Sequence, residues 1–239
     1  MAKLTLRDAR IWFAQYDLSA YHNVINLQTG KSIQDSTSMG STWATNLPGS
    51  LNGSISGGGF WDMTSPVSPD YEYYNATIGA TSKVISVSPD GGETGDIAYT
   101  MQALNGEYSC LGNYGDPAPF SVGATADGPV VRGFVLFNGT ATNNATGAQV
   151  LYLPVVAGQT VYAALHVFSM TATTAVVKVE HDTTGYPSPI AAATFTAATG
   201  ATSEWKTSTT TTADTYWNYT VSAWGGSGTL TFAVVIGIQ

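Results

Sequence analysis

Cysteine is almost missing from this chain: Cys110 is the only one in 239 residues. One thiol closes no intrachain disulfide, so the expectation is a reduced, packed side chain in a protein made in a cytoplasm. A reactive thiol would want a partner histidine beside it. Charge is scarce as well, at 10% of residues, against about 25% in ordinary globular chains. Only eight residues are basic, they are scattered, and the net charge is −8. That balance excludes wrapping of a phosphate backbone, which needs clustered Lys and Arg. No apolar run reaches the length of a membrane-spanning helix. The opening "MAKLTLRDARIWF" meets charge before any run of signal-peptide length.

What is present is enough to fold. Hydrophobic residues make up 44% of the chain, well above the range of disordered segments. A chain of this size should bury roughly 70% of the surface it exposes when unfolded. Its surface must then be covered by Thr, Ser, Asn and Gly, as in secreted β-proteins or subunits packed inside assemblies.

Alternation dominates the first part. Leu4, Leu6, Ile11 and Phe13 suggest one or two strands broken near Asp8-Ala9, and "HNVINLQTG" is another. Periodicity is then lost over 31–50, where Ile33, Met39, Trp43 and Leu47 stand isolated among Ser, Thr, Gly and Asn. Loops of that length are usually functional, so this segment reads as a long arm. "SLNGSISGGGFWD" resumes alternation. Its glycines, Gly57, Gly58 and Gly59 ahead of Phe60 and Trp61, suggest a bulge or a close backbone approach. Ser68, Pro69, Asp70 and Glu72 predict a short helix near 69–77. Pro89-Asp90-Gly91-Gly92 reads as a hairpin turn, and "PVVRGFVLFNG" as a strand buried on both faces. Composition changes near Gly139. Beyond it, seven strand candidates separated by Gly, Pro and Asp turns form the signature of a β-sandwich or jelly roll. The expected division is 1–139 and 140–239, and the fold class is all-β with one short helix.

His22, His166 and His181 each sit in strand contexts where a hydrogen-bonded imidazole is the default, and no nucleophile elbow, zinc-protease helix or phosphate loop is present. Asp90, Glu93 and Asp96 would suit Ca²⁺ by chemistry, but the spacing of a calcium loop is missing and a solvated turn is favoured. Glu180 and Asp182 alternate with His181 at a strand end. Trp205, Trp217 and Trp224 are candidates for stacking on sugar rings. In "YWNYTVSAW", however, Trp217, Tyr219 and Val221 share one face, which a sandwich core explains. The expectation is therefore no enzyme, no metal and no cofactor.

Several stretches, in order, resemble the major tail (tail tube) proteins of long-tailed bacteriophages: Asp17-Leu18-Ser19, Asp35 with Thr37 and Gly40, Leu47-Pro48-Gly49, and Ser56 through Trp61. The closing "VYAALHVF" and "FAVVIGIQ" are similar to the end of such proteins. The resemblance implies a β-sandwich with a flanking helix, hexameric rings, and rings stacked into a tube lined by an inner β-barrel. It implies that the arm, with Ile33, Asp35, Thr37, Met39, Gly40, Trp43, Leu47, Pro48 and Gly49, reaches the adjacent ring. Partners would be copies of the chain and other phage tail proteins, and the place the virion tail, assembled in the host cytoplasm.

Charge fits a conduit through which DNA slides without binding: six bases face twelve acids through Gly139, and two face four beyond it. The half that could line a channel carries most of the negative excess. The later module would decorate the outside. Two alternatives stand beside this reading, a capsid decoration or cement protein and a carbohydrate-binding adhesion module of a virion.

Overall fold

The computed structural model describes residues 6–62, 69–79, 81–152, 155–182, 188–210 and 213–239. The chain begins with β1 (Arg10–Phe13), β2 (Tyr16–Asp17), a 3₁₀ turn (Ser19–Tyr21), β3 (His22–Asp35) and β4 (Asn46–Phe60). It continues with α1 (Pro69–Ile78), β5 (Lys83–Ser88), β6 (Ile97–Cys110), β7 (Pro119–Ala126) and β8 (Val131–Ala141). Two short strands follow, β9 (Ala145–Thr146) and β10 (Val150–Leu151), then β11 (Thr160–Met170) and β12 (Thr174–Asp182). The last four are β13 (Ile190–Thr194), β14 (Thr202–Thr209), β15 (Tyr216–Gly225) and β16 (Leu230–Ile238). The protein is all-β with one short helix, and every strand pairing whose register is resolved is antiparallel.

Two compact units divide it: residues 1–20, 83–101 and 131–239 form one, and residues 21–82 and 102–130 the other. These lines differ from a cut at 139. Gly139 lies inside β8, which pairs with β16 from Gly133↔Gly237 to Ala141↔Leu230. A late strand thus binds residues that precede the change in composition.

The larger unit is a two-sheet sandwich. One sheet runs β14-β11-β16-β8-β6-β5-β1-β2, and the second runs β10-β15-β12-β13 with β9 beside β15. Phe134, Leu136, Leu165 and Phe232 meet Val177, Val179, Trp217 and Val221 in one core. The opposite parity of the first sheet carries a separate cluster, with Trp12, Val84, Val135, Ala164 and Val235 buried. Apolar burial on both parities explains why β8, β11 and β16 read as continuous hydrophobic runs.

The smaller unit orders its strands β3-β4-β7-β6, using the second part of β6. α1 starts with Pro69 and carries Asp70 and Glu72 in its first turn, where acids favour the helix dipole. The cap expected at Ser68 lies outside the described residues. Tyr73 and Ala76 are buried beneath the helix. Tyr73 packs 5.9 Å from Phe120 and 5.7 Å from the His22 ring. The Asn105 amide donates to the Tyr73 carbonyl at 3.2 Å and to Thr77 Oγ1 at 2.5 Å, and Tyr108 donates to Asp70 at 2.7 Å.

Candidate assembly surfaces

The arm is not a structureless loop. β3 and β4 continue as a ribbon beyond the sheet, pairing Gly30↔Asn52, Lys31↔Leu51, Ile33↔Pro48, Gln34↔Leu47 and Asp35↔Asn46. β7 stops pairing with β4 at Ser54↔Thr125, so the ribbon beyond is two strands wide. Its register shifts between Lys31 and Ile33, which adds twist. The turn spans 36–45 and is knitted by polar groups. Asp35 Oδ1 accepts from Thr37 N at 2.8 Å and from its hydroxyl at 2.5 Å. Thr37 Oγ1 accepts from Thr45 N at 3.0 Å, and Ser36 N donates to the Thr45 carbonyl at 2.8 Å. The hydrogen bonds from Thr37 hold the Asp35 carboxyl below its ordinary pKa. Asp35 and Thr37 therefore act on the shape of the tip. Gly40 takes φ 87°, a conformation that side chains disfavour.

Against this polar frame the apolar residues point outward. Met39 is fully exposed, Trp43 is 83% exposed and Leu51 80%, with Ile33 and Leu47 also in solvent. Pro48 is exposed and Gly49 half-buried. An isolated two-stranded ribbon is marginal in water, and exposed apolar patches beyond a few hundred Å² mark interaction surfaces.

The glycine run answers to crowding at the end of the sheet away from the ribbon. β4 is central here, with β3 on one side and β7 on the other. A Cβ on Gly59 would overlap the Tyr21 carbonyl oxygen, and one on Gly58 would sit 2.7 Å from the Phe120 carbonyl. Gly57 faces the His22 ring at 2.9 Å. The register shift between His22 and Val24 lies against this run. Phe60, paired with Pro119, is exposed, whereas Trp61 is half-buried and its backbone N–H donates to the Ala118 carbonyl at 2.7 Å.

Register assigns the sheet's two faces. His22, Ile25, Leu27, Gly57, Ile55, Phe120, Ala124, Tyr108 and Asn105 share the helix side. The opposite face carries Val24, Asn26 and Gln28 of β3, Ser54, Ser56 and Gly58 of β4, Ser121, Gly123 and Thr125 of β7, and Leu104, Glu107 and Ser109 of β6. Ser54, Gly58 and Gly123 are half-buried, and the others are exposed. Among these twelve positions Glu107 is the one charge, and none is basic. A shallow hollow of about 270 Å³ lined by Gln28, Thr29, Gly30, Asn52, Gly53, Ser54 and Thr125 lies where the ribbon leaves the sheet.

Groups that could suggest chemistry are absorbed by packing. His166 is wholly buried: its Nδ1 lies 2.6 Å from the Ala14 carbonyl and its Nε2 2.8 Å from Ser86 Oγ. Burial lowers its pKa to about 4. The neutral ring donates through Nδ1 and accepts at Nε2 from Ser86, leaving Ser86 Oγ to accept from Thr100 at 2.8 Å. This Ser–His pair is sealed in a core, away from any substrate. His181 is buried against Asp214 at 2.7 Å, with the Trp217 ring tilted against it at 4.9 Å. Asp96 accepts from Glu93 N at 2.8 Å, closing its turn. Among the described residues no group of three His, Cys, Asp or Glu is arranged to hold a metal. Trp217 is 0% exposed, so it offers no face to a sugar. Trp205 and Trp224 are half-buried, each packed on a core cluster.

No family model matches the chain, and no curated protein matches it. Among solved structures it is similar to a chain in the virion of a native gene transfer agent particle. That match has TM-score 0.42 and 17% identity over 54% of this chain and 97% of that one. A chain of the sheath-tube complex of an extracellular contractile injection system gives TM-score 0.42 and 12% identity, covering 56% of this chain and 93% of that one. The SPP1 Dit (gp 19.1) protein, described as a paradigm of the hub adsorption apparatus in phages that infect Gram-positive hosts, gives TM-score 0.35 and 13% identity over 98% and 100%.

Proposed function

We propose that this chain is a major tail tube subunit: copies form rings, hexameric by the family resemblance, and the rings stack into a hollow conduit for DNA ejection. One observation carries the reading, the bare face of the four-stranded sheet. Twelve side-chain positions there include one carboxylate and no base. A wall of hydroxyls, amides and glycine, with the aliphatic Val24 and Leu104 among them, gives phosphates nothing to grip, and sparse negative charge repels them weakly. Among the described residues β3 pairs with β4 alone, which leaves its other edge for a strand from a neighbouring copy, the usual way a sheet closes around an axis.

The work is mechanical, with no catalytic step assigned. The ribbon supplies contact between successive rings, and its exposed Trp43 and Met39 lose water when a neighbour covers them. In this reading the assembled object belongs to the virion tail.

Electron microscopy of the purified protein tests this directly, with hollow tubes as the expected result. A Ser56→Cys variant sharpens the test. In assembled tubes the new thiol should react with a small maleimide and resist a bulky polymer-coupled one. Equal labelling by both reagents in intact tubes would remove Ser56 from the lumen and the proposal with it.

A further inference from the structure

The smaller unit carries a second apolar patch at the end of its sheet opposite the ribbon. The register of β4, β7 and β6 ends at Phe60↔Pro119 and Phe120↔Cys110. Leu111 and Tyr114 follow in the connecting loop. All are in solvent: Phe60 is 56% exposed, Leu111 63%, and Tyr114 fully. Leu111 also holds φ 75°, an uncommon conformation for leucine.

We infer that this end patch is the receptor for the ribbon of a second copy, so that the subunits join head to tail. The inference rests on the tube reading and names the surface that reading leaves open. Three observations support it. The two patches sit at opposite ends of the same strands, so a copy displaced along the strands presents one to the other. The ribbon has reach: from Gly30 to Asp35 it spans about 17 Å, enough to extend beyond its own sheet onto another copy. The exposed apolar side chains of the ribbon also offer an area on the order of several hundred Å², close to the ~800 Å² that each partner contributes to a standard interface.

Symmetry separates this from the obvious rival. A two-fold contact would pair ribbon with ribbon and leave Phe60, Leu111 and Tyr114 bare. A heterologous contact covers both patches and has no built-in stop, as a filament requires.

The test uses two full-length variants. Leu111→Asp/Tyr114→Asp places carboxylates on the receptor, at a position where Asp tolerates positive φ better than Leu. Trp43→Asp spoils the ribbon instead. Each variant alone should melt as the parent does and form rings, while tube yield falls about thirtyfold or more, as for loss of a buried anchor. Mixed together, each variant still has one intact surface, so the expected product is stacks of two rings with no long tubes.

Wild-type tubes that survive Leu111→Asp/Tyr114→Asp but are lost with Trp43→Asp would overturn the receptor assignment and leave the tube reading standing. Tubes in which Met39→Cys copies form disulfides with one another at the tip would establish the two-fold alternative. Parent protein that forms no tubes at all would overturn both readings together.

Discussion

The two compact units are both built from antiparallel strands and the same Thr, Ser and Gly vocabulary, yet they satisfy their hydrophobic residues differently. In the sandwich, Trp12, Trp217, Phe232, Leu165 and Val235 are all essentially buried within the chain's own structure. In the smaller unit a single helix covers one face through Tyr73 and Ala76, while Trp43, Met39, Leu51 and Phe60 remain in solvent. The sandwich covers its main core within its own chain. The smaller unit reads as half of something, with stability and assembly assigned to different residues.

Mutations can break that division, and the largest effect belongs to the sandwich. Trp217→Ala removes a fully buried ring from the main core, and an unfolding free energy lower by about 3–5 kcal/mol is expected from denaturant titration. An unchanged midpoint would mean that the sandwich does not depend on its core. Acid acts on both units. The pKa values of His166 and His22 are each lowered to about 4, chiefly by burial. Below about pH 6.5 the unfolded chain takes up protons that the folded chain refuses. Stability then falls with pH, by roughly 1.4 kcal/mol per unit for each histidine, until about pH 4. His166→Gln should flatten that dependence for the sandwich, and His22→Gln for the smaller unit, as urea melts at pH 7 and pH 5 would read.

Gly59→Ala should cost about 1–3 kcal/mol, because the added methyl overlaps the Tyr21 carbonyl and backbone must shift. Thermal melting followed by a probe near Trp61 would detect it. The smallest effect is the most telling. Trp43→Ala should leave monomer stability within about 0.5 kcal/mol and still abolish tube growth. A large loss of monomer stability would show that Trp43 packs against its own chain, which would erase the contrast between the units.

The sequence allowed parts of this to be read and hid others for physical reasons. α1 was legible because Pro69, Asp70 and Glu72 mark a helix start irrespective of tertiary context. The strands of the sandwich were legible because buried faces impose alternation or continuous apolar runs. The ribbon was not, since both its sides face water and no buried side imprints a period of two on residues 31–50. The same segment is nevertheless strand through Asp35 and again from Asn46. The bare sheet face was hidden because β4 alternates serine with glycine, which leaves no contrast in hydrophobicity between inside and outside. The pairing of β8 with β16 links residues about a hundred positions apart, and local composition carries no trace of it.

The cross-linked turn at 36–45 has a kinetic consequence. With Asp35, Thr37 and Thr45 already bonded to one another, a free copy arrives with its tip shaped before contact. Under the tube proposal, joining then demands no search through loop conformations and little loss of backbone entropy. What remains to limit growth is encounter at the right orientation and the stripping of water from Trp43 and Met39, so elongation should track concentration closely and depend little on refolding.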